Sequence, residues 1–316
     1  MALQIEKLKH TFETIKKEIG KVIIGQDEVI EHVLVTMLCD SHALLESYPG
    51  LGKTLLISTM GKVMDLKFSR IQNTPDLMPS DIIGTEVIEE SSGKRYFKFQ
   101  QGPIFTNVLL ADEINRATPK TQSALLEAMQ EKQVTIGKTT HKLDAPFFVL
   151  ATQNPIEQEG TYPLPEAQTD RFLLKILLTY PSIEEEYKIV DQYTKVLKED
   201  NVRKILGKNS LFALQKFTRQ VPIANDLAKY VVRIVDETRQ NKKILEYGAS
   251  PRASIGLVLA AKARSLVHGR AHVSSEDIKA MAYPVLRHRI ILNFEAERQG
   301  MKPDDAITEI LKKVKP

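Results

Sequence analysis

The feature that most constrains this chain is a glycine-lysine-threonine segment between an apolar run and a helical pattern. The apolar run at residues 43–45 leads through a Pro-Gly turn to Gly52, Lys53 and Thr54, and helical spacing begins near Lys53. In this order, backbone N–H groups and a helix N-terminus can surround phosphate, lysine can reach the outer phosphates and threonine can ligate Mg²⁺. We therefore predict a phosphate-binding loop. The alternative is an ordinary Pro-Gly turn that happens to precede these residues.

The loop departs from the general pattern G-x-x-x-x-G-K-[ST] at its first glycine, where this chain has Ser47. A non-glycine residue adopts positive φ less readily than glycine does. We expect nucleotide to bind here all the same, with an affinity that Ser47 lowers.

Two adjacent carboxylates follow a second apolar run. Residues 108–111 form a buried-strand pattern that ends in Asp112 and Glu113. At the end of a strand parallel to the first, Asp112 can lie beside Mg²⁺ and Glu113 can polarise an attacking water. Solvated acids at a strand end are the alternative, but the two motifs together are far more specific than either alone.

Further polar residues could complete such a site. Asn154 follows the apolar run 147–152 and could hold water or the γ-phosphate, or it could simply form a turn before proline. Arg171 and Arg252 could stabilise transition-state charge, although a surface arginine and a plain helix start are the alternatives. Arg116 could face a subunit interface or could be solvated.

Short apolar runs at residues 43–45, 68–71, 108–111 and 147–152, with helical patterns between some of them, predict a parallel α/β sheet covered on both faces. Two segments that alternate about glycine, 85–99 and 133–143, predict hairpins that project from this sheet. Two amphipathic helices are expected before the first strand, over residues 5–19 and 29–38.

After Tyr180 the strand signals stop, and helical spacing dominates. We therefore predict two domains, an α/β domain over residues 1–180 and a smaller all-helical domain over 181–316. The chain of 316 residues has net charge +4, which divides into −4 before the boundary and +8 after it. The expected helices cover residues 183–197, 210–219, 225–240, 251–268 and 274–286. Ser274, with Asp277 three residues later, predicts a start like a capping box for the last of them.

The composition excludes several classes of protein. At 42% hydrophobic and 27% charged residues, the chain can bury a core and is not expected to be disordered. Its single cysteine, Cys39, allows no internal disulfide and no cysteine-based metal site, which favours a reducing compartment. No apolar stretch is long enough for a membrane span, so we expect a cytoplasmic protein without membrane insertion.

The motifs PGLGKT, LLADEINRA, ATQNP, LPEAQTDRF and GASPRA, in this order, resemble those of the MoxR family of AAA+ ATPases. The resemblance covers residues 25–288 or so. It implies a P-loop sheet domain with the two hairpins as insertions, followed by a helical lid. It also implies that Lys53 and Thr54 belong to the Walker A loop and that Asp112 and Glu113 form Walker B. Asn154 is then sensor 1 and Arg252 is sensor 2. The implied nucleotide-binding residues are Gly25, Gln26, Pro49, Gly50, Leu51, Gly52, Lys53, Thr54 and Leu55, of which Gly25 and Gln26 belong to a segment that resembles the lining of the adenine pocket.

The resemblance further implies ATP and Mg²⁺ as ligands, with Thr54 and Asp112 at the metal. Arg171 matches the family's arginine finger, which acts on the nucleotide of a neighbouring subunit and implies a ring, usually a hexamer. Arg252 could act in cis or in trans. The resemblance implies a chaperone-like role in remodelling protein complexes, often with a von Willebrand factor A domain protein.

Two other functions stay open at this point. One is a nucleic-acid-dependent motor, which the +8 of residues 181–316 allows, although their basic residues are spread out and not clustered. The other is a scaffold that binds ATP and assembles but barely hydrolyses it.

Overall fold

The chain is described by a computed structural model over residues 2–91, 94–137, 139–155, 161–195 and 202–316. The strands are β1 (Ala43–Ser47), β2 (Phe68–Gln72), β3 (Gly84–Ser91), β4 (Lys94–Gln101), β5 (Val108–Asp112), β6 (Gln133–Ile136), β7 (Thr139–Lys142), β8 (Phe148–Gln153), β9 (Leu174–Leu178), β10 (Leu245–Tyr247) and β11 (Ile291–Leu292). The helices are α1 (Ala2–Ile19), α2 (Asp27–Leu38), α3 (Lys53–Val63), α4 (Pro79–Ile83), α5 (Pro119–Glu131), α6 (Glu166–Thr169), α7 (Ile183–Tyr193), α8 (Lys208–Gln220), α9 (Asn225–Gln240), α10 (Pro251–Val267), α11 (Ser275–Leu286), α12 (Phe294–Arg298) and α13 (Pro303–Lys313).

A five-stranded parallel sheet forms the centre of the fold, with strand order β2-β5-β8-β1-β9. The prediction of a parallel sheet is therefore confirmed, and its four predicted strands are β1, β2, β5 and β8. The edge strand β9 was not predicted. It carries Lys175 in its middle, and this lysine pairs with Glu46 on β1 at 2.7 Å between Nζ and Oε2.

Both faces of the sheet are covered, as its continuous apolar strands require. Val108 and Leu110 of β5 pack on the face that carries α1, α2 and α3. Leu109 and Ala111, which alternate with them, pack on the opposite face with Leu125 of α5. Asp112 continues the alternation, and its side chain therefore lies on the same face as α3, the helix that follows the phosphate loop.

Both hairpins predicted from the sequence are confirmed. Strand β3 pairs with β4, and β6 pairs with β7, each in antiparallel register. The predicted turn at Ser92 and Gly93 lies outside the described residues. The second hairpin carries Gly137 at φ +57°.

The carboxyl-terminal part is helical, in agreement with the predicted lid. Helix α11 begins with the predicted capping box, because Ser274 accepts from the N–H of Asp277 and Asp277 accepts from that of Ser274. One detail of the prediction was wrong, since the part is not entirely helical. The short strands β10 and β11 pair antiparallel there. They were not predicted because two or three residues are too short to show a period.

The helices before the sheet pack against the lid. Glu31 of α2 accepts from Lys16 of α1 at 2.9 Å and pairs with Arg264 of α10 at 3.1 Å. Burial would raise the pKa of Glu31, but hydrogen bonds with Lys16 and with His268, whose Nε2 lies 3.0 Å from Oε1, lower it to about 2. Residues of all three helices belong to one apolar core. A domain boundary near Tyr180 stays a prediction. Within the described residues, no helix is long and apolar enough to cross a membrane.

Candidate functional site

The predicted phosphate and metal residues lie at the carboxyl ends of three neighbouring strands. Ser47 ends β1, Asp112 ends β5, and Asn154 follows β8, which lies between those two strands. Parallel strands end at the same edge of a sheet, and this edge is where ligands of open α/β sheets bind. The structure thus brings together residues that are far apart in the sequence.

The phosphate loop connects β1 to α3 around open space. Gly50 and Gly52 have φ of +85° and +73°, and a Cβ added to either would meet no atom within 4 Å. Gly52 is the N-cap of α3, and Lys53 and Thr54 are its first residues. Pro49 lies in the turn before them, while Leu51 and Leu55 pack against the apolar core. Free N–H groups at this helix N-terminus suit an anion.

The expected strain at Ser47 is absent. Ser47 is the last residue of β1, it is 2% exposed, and it is not among the residues of positive φ. The backbone reason for expecting a lower affinity was therefore wrong, because this position needs no left-handed conformation. The effect of Ser47 on affinity stays a prediction. The side chain acts instead, since Ser47 Oγ accepts a hydrogen bond from Lys53 Nζ at 2.8 Å.

Asp112 is buried and both of its carboxylate oxygens have partners. Thr152 of β8 donates its hydroxyl to Oδ1 at 2.5 Å. Arg70 of β2 donates from Nε at 3.2 Å and from Nη2 at 2.7 Å to Oδ2. The carboxylate is thus fixed in orientation by neighbouring strands on both sides.

Glu113 lies directly beyond the strand in a left-handed conformation with φ +53°. Its N–H donates to the hydroxyl of Thr152 at 2.8 Å, so Thr152 joins Asp112 and Glu113. The carboxylate of Glu113 accepts from Arg116 Nη1 at 3.0 Å. Arg116 therefore pairs with Glu113 within its own chain.

Metal binding at this edge requires oxygen ligands with free lone pairs. Asp112 offers a carboxylate in which Thr152 and Arg70 each bind one oxygen, whereas a carboxylate has about four acceptor positions. Thr54 adds a hydroxyl beside the phosphate loop. A hydroxyl and one carboxylate, completed by phosphate and water, are typical of Mg²⁺. No cluster of three or more His, Cys, Asp or Glu residues suited to a metal occurs in the described part of the chain.

Gly25 and Gln26, expected at the adenine, lie where α7 closes over the segment before α2. A Cβ on Gly25 would come within 2.5 Å of the Glu185 carboxyl carbon, and φ of Gly25 is +73°. The hydroxyl of Tyr193 donates to the carbonyl of Val22 at 2.7 Å. Gln26 is the N-cap residue of α2.

Arg171 and Arg252 lie near the amino ends of the parallel strands, opposite the carboxyl ends where their own phosphate loop lies. We call this the amino edge of the sheet. Arg171 comes just before β9, whose first residue pairs with Ala43 at the amino end of β1. Arg252 Nη1 lies 3.6 Å from Asp170 Oδ2, which places it beside Arg171. The length of β1, about 13 Å, separates this edge from Ser47. Arg252 therefore lies beside the turn that carries Arg171, at the end of β1 that is far from Ser47.

Several polar residues at these two edges were missed by the sequence analysis. Arg70 and Thr152 contact Asp112, and Arg289 contacts Asp170. Arg70 within the apolar run of β2 was an available signal, because a charged residue inside a strand needs a partner. Nothing in the sequence pattern singled out Arg289.

Comparisons with known proteins show which family this chain resembles. Residues 42–174 match a family model described as "ATPase family associated with various cellular activities (AAA)", and residues 237–310 match one described as an AAA lid domain. Chaperone MoxR1 of Mycobacterium tuberculosis is 44% identical to this chain, over 96% of this chain and 82% of the length of MoxR1. Protein MoxR of Paracoccus denitrificans is 29% identical over 92% of each chain. A crystal structure of a candidate ATPase from Cytophaga hutchinsonii superposes with TM-score 0.91 at 46% identity, over 98% of this chain and 96% of that one.

Proposed function

Because the chain belongs to the MoxR family of AAA+ ATPases, we propose that it hydrolyses ATP to ADP and phosphate at the carboxyl edge of its sheet. The observation that carries this proposal is the convergence of three residues at this edge: Lys53 begins the helix that follows β1, Asp112 ends β5, and Glu113 comes directly after it. Walker A and Walker B, as separate motifs, would each be weak evidence.

The side chains divide the chemistry among them. Lys53 exchanges its hydrogen bond with Ser47 for the outer phosphates, and the N–H groups after Gly52 hold the rest of the phosphate chain. Mg²⁺, when bound by Thr54 and Asp112, neutralises charge on the phosphates. Glu113 orients and polarises the attacking water, and Asn154 helps to position it.

Transition-state charge is stabilised by a neighbouring subunit in this proposal. Arg171 and Arg252 lie at the amino edge of β9, remote from the phosphate loop of their own chain. Both would act in trans if the amino edge of one subunit faced the carboxyl edge of the next. Such a head-to-tail contact supports a ring, for which we propose six subunits.

We propose chaperone-like remodelling of protein complexes as the use of this activity. The name of the relative from Mycobacterium tuberculosis, Chaperone MoxR1, supports the class of role. A protein with a von Willebrand factor A domain is the proposed partner.

Steady-state and trapping experiments test the catalytic proposal. Glu113→Gln should bind ATP and retain it unhydrolysed, because the phosphate loop stays intact while water is no longer polarised. Lys53→Ala should lose nucleotide binding. Glu90→Gln, on the exposed hairpin strand β3, is the matched control and should hydrolyse ATP like the wild type. Normal turnover by Glu113→Gln would overturn the assignment.

The partner proposal needs a separate experiment. ATP-loaded Glu113→Gln protein is used as bait, and bound proteins are identified by mass spectrometry against Lys53→Ala bait. Enrichment of a von Willebrand-type protein with the ATP-loaded bait alone supports the proposal. Recovery of nucleic acid without protein would contradict it.

A further inference from the structure

A carboxylate lies between the two arginines of the amino edge. Asp170 directly precedes Arg171, and its Oδ1 accepts from Arg289 Nε at 2.8 Å. Its Oδ2 accepts from the hydroxyl of Ser250 at 3.0 Å and lies 3.6 Å from Arg252 Nη1. Asp170 therefore contacts the turn that carries one arginine and the helix start that carries the other.

Arg289 holds the turn around Asp170 through its backbone as well. This guanidinium is 3% exposed, and it donates to the carbonyls of Asp170, Phe172 and Leu173 at 3.1, 2.5 and 3.0 Å. It also donates to the carbonyl of Val285 in α11. One buried side chain thus fixes the backbone on both sides of Arg171 to the lid.

Ser250 extends this arrangement to Arg252. Ser250 is the N-cap of α10, and its hydroxyl accepts from the N–H of Arg252 at 3.2 Å while it donates to Asp170. The start of α10 is therefore tied to the Asp170 carboxylate. The side chain of Arg252 stays 56% exposed, so its guanidinium remains accessible to a ligand.

Apolar packing does not replace these polar contacts on the open side of the cluster. A cavity of about 470 Å³ beside Asp170 is lined by Glu166 and Ala167 before it and by Tyr247 and Gly248 of the segment before α10. Beside this cavity, the hydrogen bonds of Asp170 and Arg289 join the two segments.

We infer that Asp170 and Arg289 are positioning residues that hold Arg171 and Arg252 as one unit facing the nucleotide of a neighbouring subunit. The inference rests on the proposed function, in which both arginines act in trans. Asp170 and Arg289 touch no nucleotide themselves. They fix the two cations at one spacing, and movement of the lid then shifts both cations together.

The Asp170→Asn variant is the main test because it keeps the size of the side chain and one acceptor oxygen. It removes the charge that faces Arg289 and Arg252 and one of the two acceptor oxygens. We expect assembled Asp170→Asn protein to bind a fluorescent ATP analogue with the wild-type Kd, while kcat falls about 100-fold, the effect of misplacing a catalytic group by about 1 Å. Asp304→Asn is the matched control, since Asp304 pairs with another lid arginine, Arg287, at 2.9 Å. It should keep the wild-type kcat.

Mixed assemblies distinguish positioning from a general folding defect. Lys53→Ala subunits cannot hydrolyse ATP but carry intact arginines, so they should restore turnover in Asp170→Asn subunits beside them. Wild-type kcat in Asp170→Asn, equal loss in Asp304→Asn, or no restoration on mixing would each overturn the inference. An inactive wild type would overturn the proposed function and this inference together, whereas an active wild type with a fully active Asp170→Asn would overturn this inference alone.

Discussion

Arg70 on β2 forms an ion pair with Asp112 at the end of β5, with 2.7 Å between Nη2 and Oδ2. A guanidinium therefore occupies one oxygen of the carboxylate that we expect at the metal. Arg70 is 44% exposed, so solvent weakens the pair, and its contribution is at most about 1 kcal/mol.

The first prediction concerns the Mg²⁺ dependence of nucleotide binding. Arg70→Met should lower the half-saturating Mg²⁺ concentration by about fivefold, the equivalent of 1 kcal/mol, because the metal no longer competes with a cation for Asp112. A Mg²⁺ titration of ATP-analogue binding measures this. Arg95→Met, which removes an exposed arginine from the hairpin pair with Glu90, is the control. A higher Mg²⁺ requirement in Arg70→Met would show instead that Arg70 supports the metal site.

A second prediction separates backbone from side chain at Ser47. Ser47→Ala and Ser47→Gly should bind ATP with equal affinity, because the position is not in the left-handed region and glycine adds nothing there. Both should bind ATP a few fold more tightly than the wild type. Lys53 then has no hydrogen bond with Ser47, of about 1 kcal/mol, to break before it reaches the phosphates.

Unfolding experiments complete the comparison of the two Ser47 variants. Ser47→Gly should be less stable than Ser47→Ala by about 0.5–1 kcal/mol, because glycine within a strand destabilises a protein by that amount relative to alanine. Tighter nucleotide binding by the glycine variant than by the alanine variant would mean that a flexible residue at the first position of the phosphate loop does increase affinity.

The third prediction addresses the contact between Gly25 and Glu185. Gly25→Ala should displace the Glu185 carboxylate, which otherwise accepts from the N–H of Ser182 at 2.8 Å at the start of α7. Gly300→Ala is the matched control because Gly300 also has positive φ, +78°, but open space around it. The free energy of unfolding should therefore fall further in Gly25→Ala than in Gly300→Ala. Equal losses would mean that only backbone strain is involved.

The fourth prediction is a loss of stability in mild acid through His42. Its Nδ1 accepts from the N–H of Val149 at 2.9 Å and its Nε2 donates to the carbonyl of Met129 at 3.0 Å, so the ring must be neutral. Burial lowers the pKa of His42 from 6.5 to about 4. The unfolded chain therefore binds more protons between these values, and stability falls as pH drops through this window.

Denaturant unfolding at pH 8 and pH 5 measures the effect. Because of His42, the free energy of unfolding should be about 2 kcal/mol lower at pH 5 than at pH 8. Each unit of pKa shift corresponds to about 1.4 kcal/mol. His42→Gln should flatten the pH dependence by that amount, whereas the exposed His10→Gln should not. An unchanged slope in His42→Gln would contradict the prediction.

The sequence predicted the strands that are apolar and bounded by turns, and with them the edge where the phosphate and metal residues converge. It missed β9, where Lys175 interrupts the apolar pattern and Glu46, on another strand, supplies the compensating charge. Local periodicity carries no information about such a partner.

The polar contacts of the site could not be predicted for the same reason. Arg70 is 42 residues from Asp112, and Arg289 is 119 residues from Asp170. These pairs depend on strand order and on the packing of the lid. The edge location of Arg171 and Arg252 likewise needs the parallel register of β9 with β1.

The separation of the phosphate loop from the two arginines has a consequence for counting active sites. If the arginines serve the next subunit, each chain contributes half of one site and half of another. An open row of subunits then has one complete site fewer than it has chains, because the two end chains leave unmatched halves. A closed ring has as many complete sites as chains, so activity per chain should rise with protein concentration and level off when the ends meet.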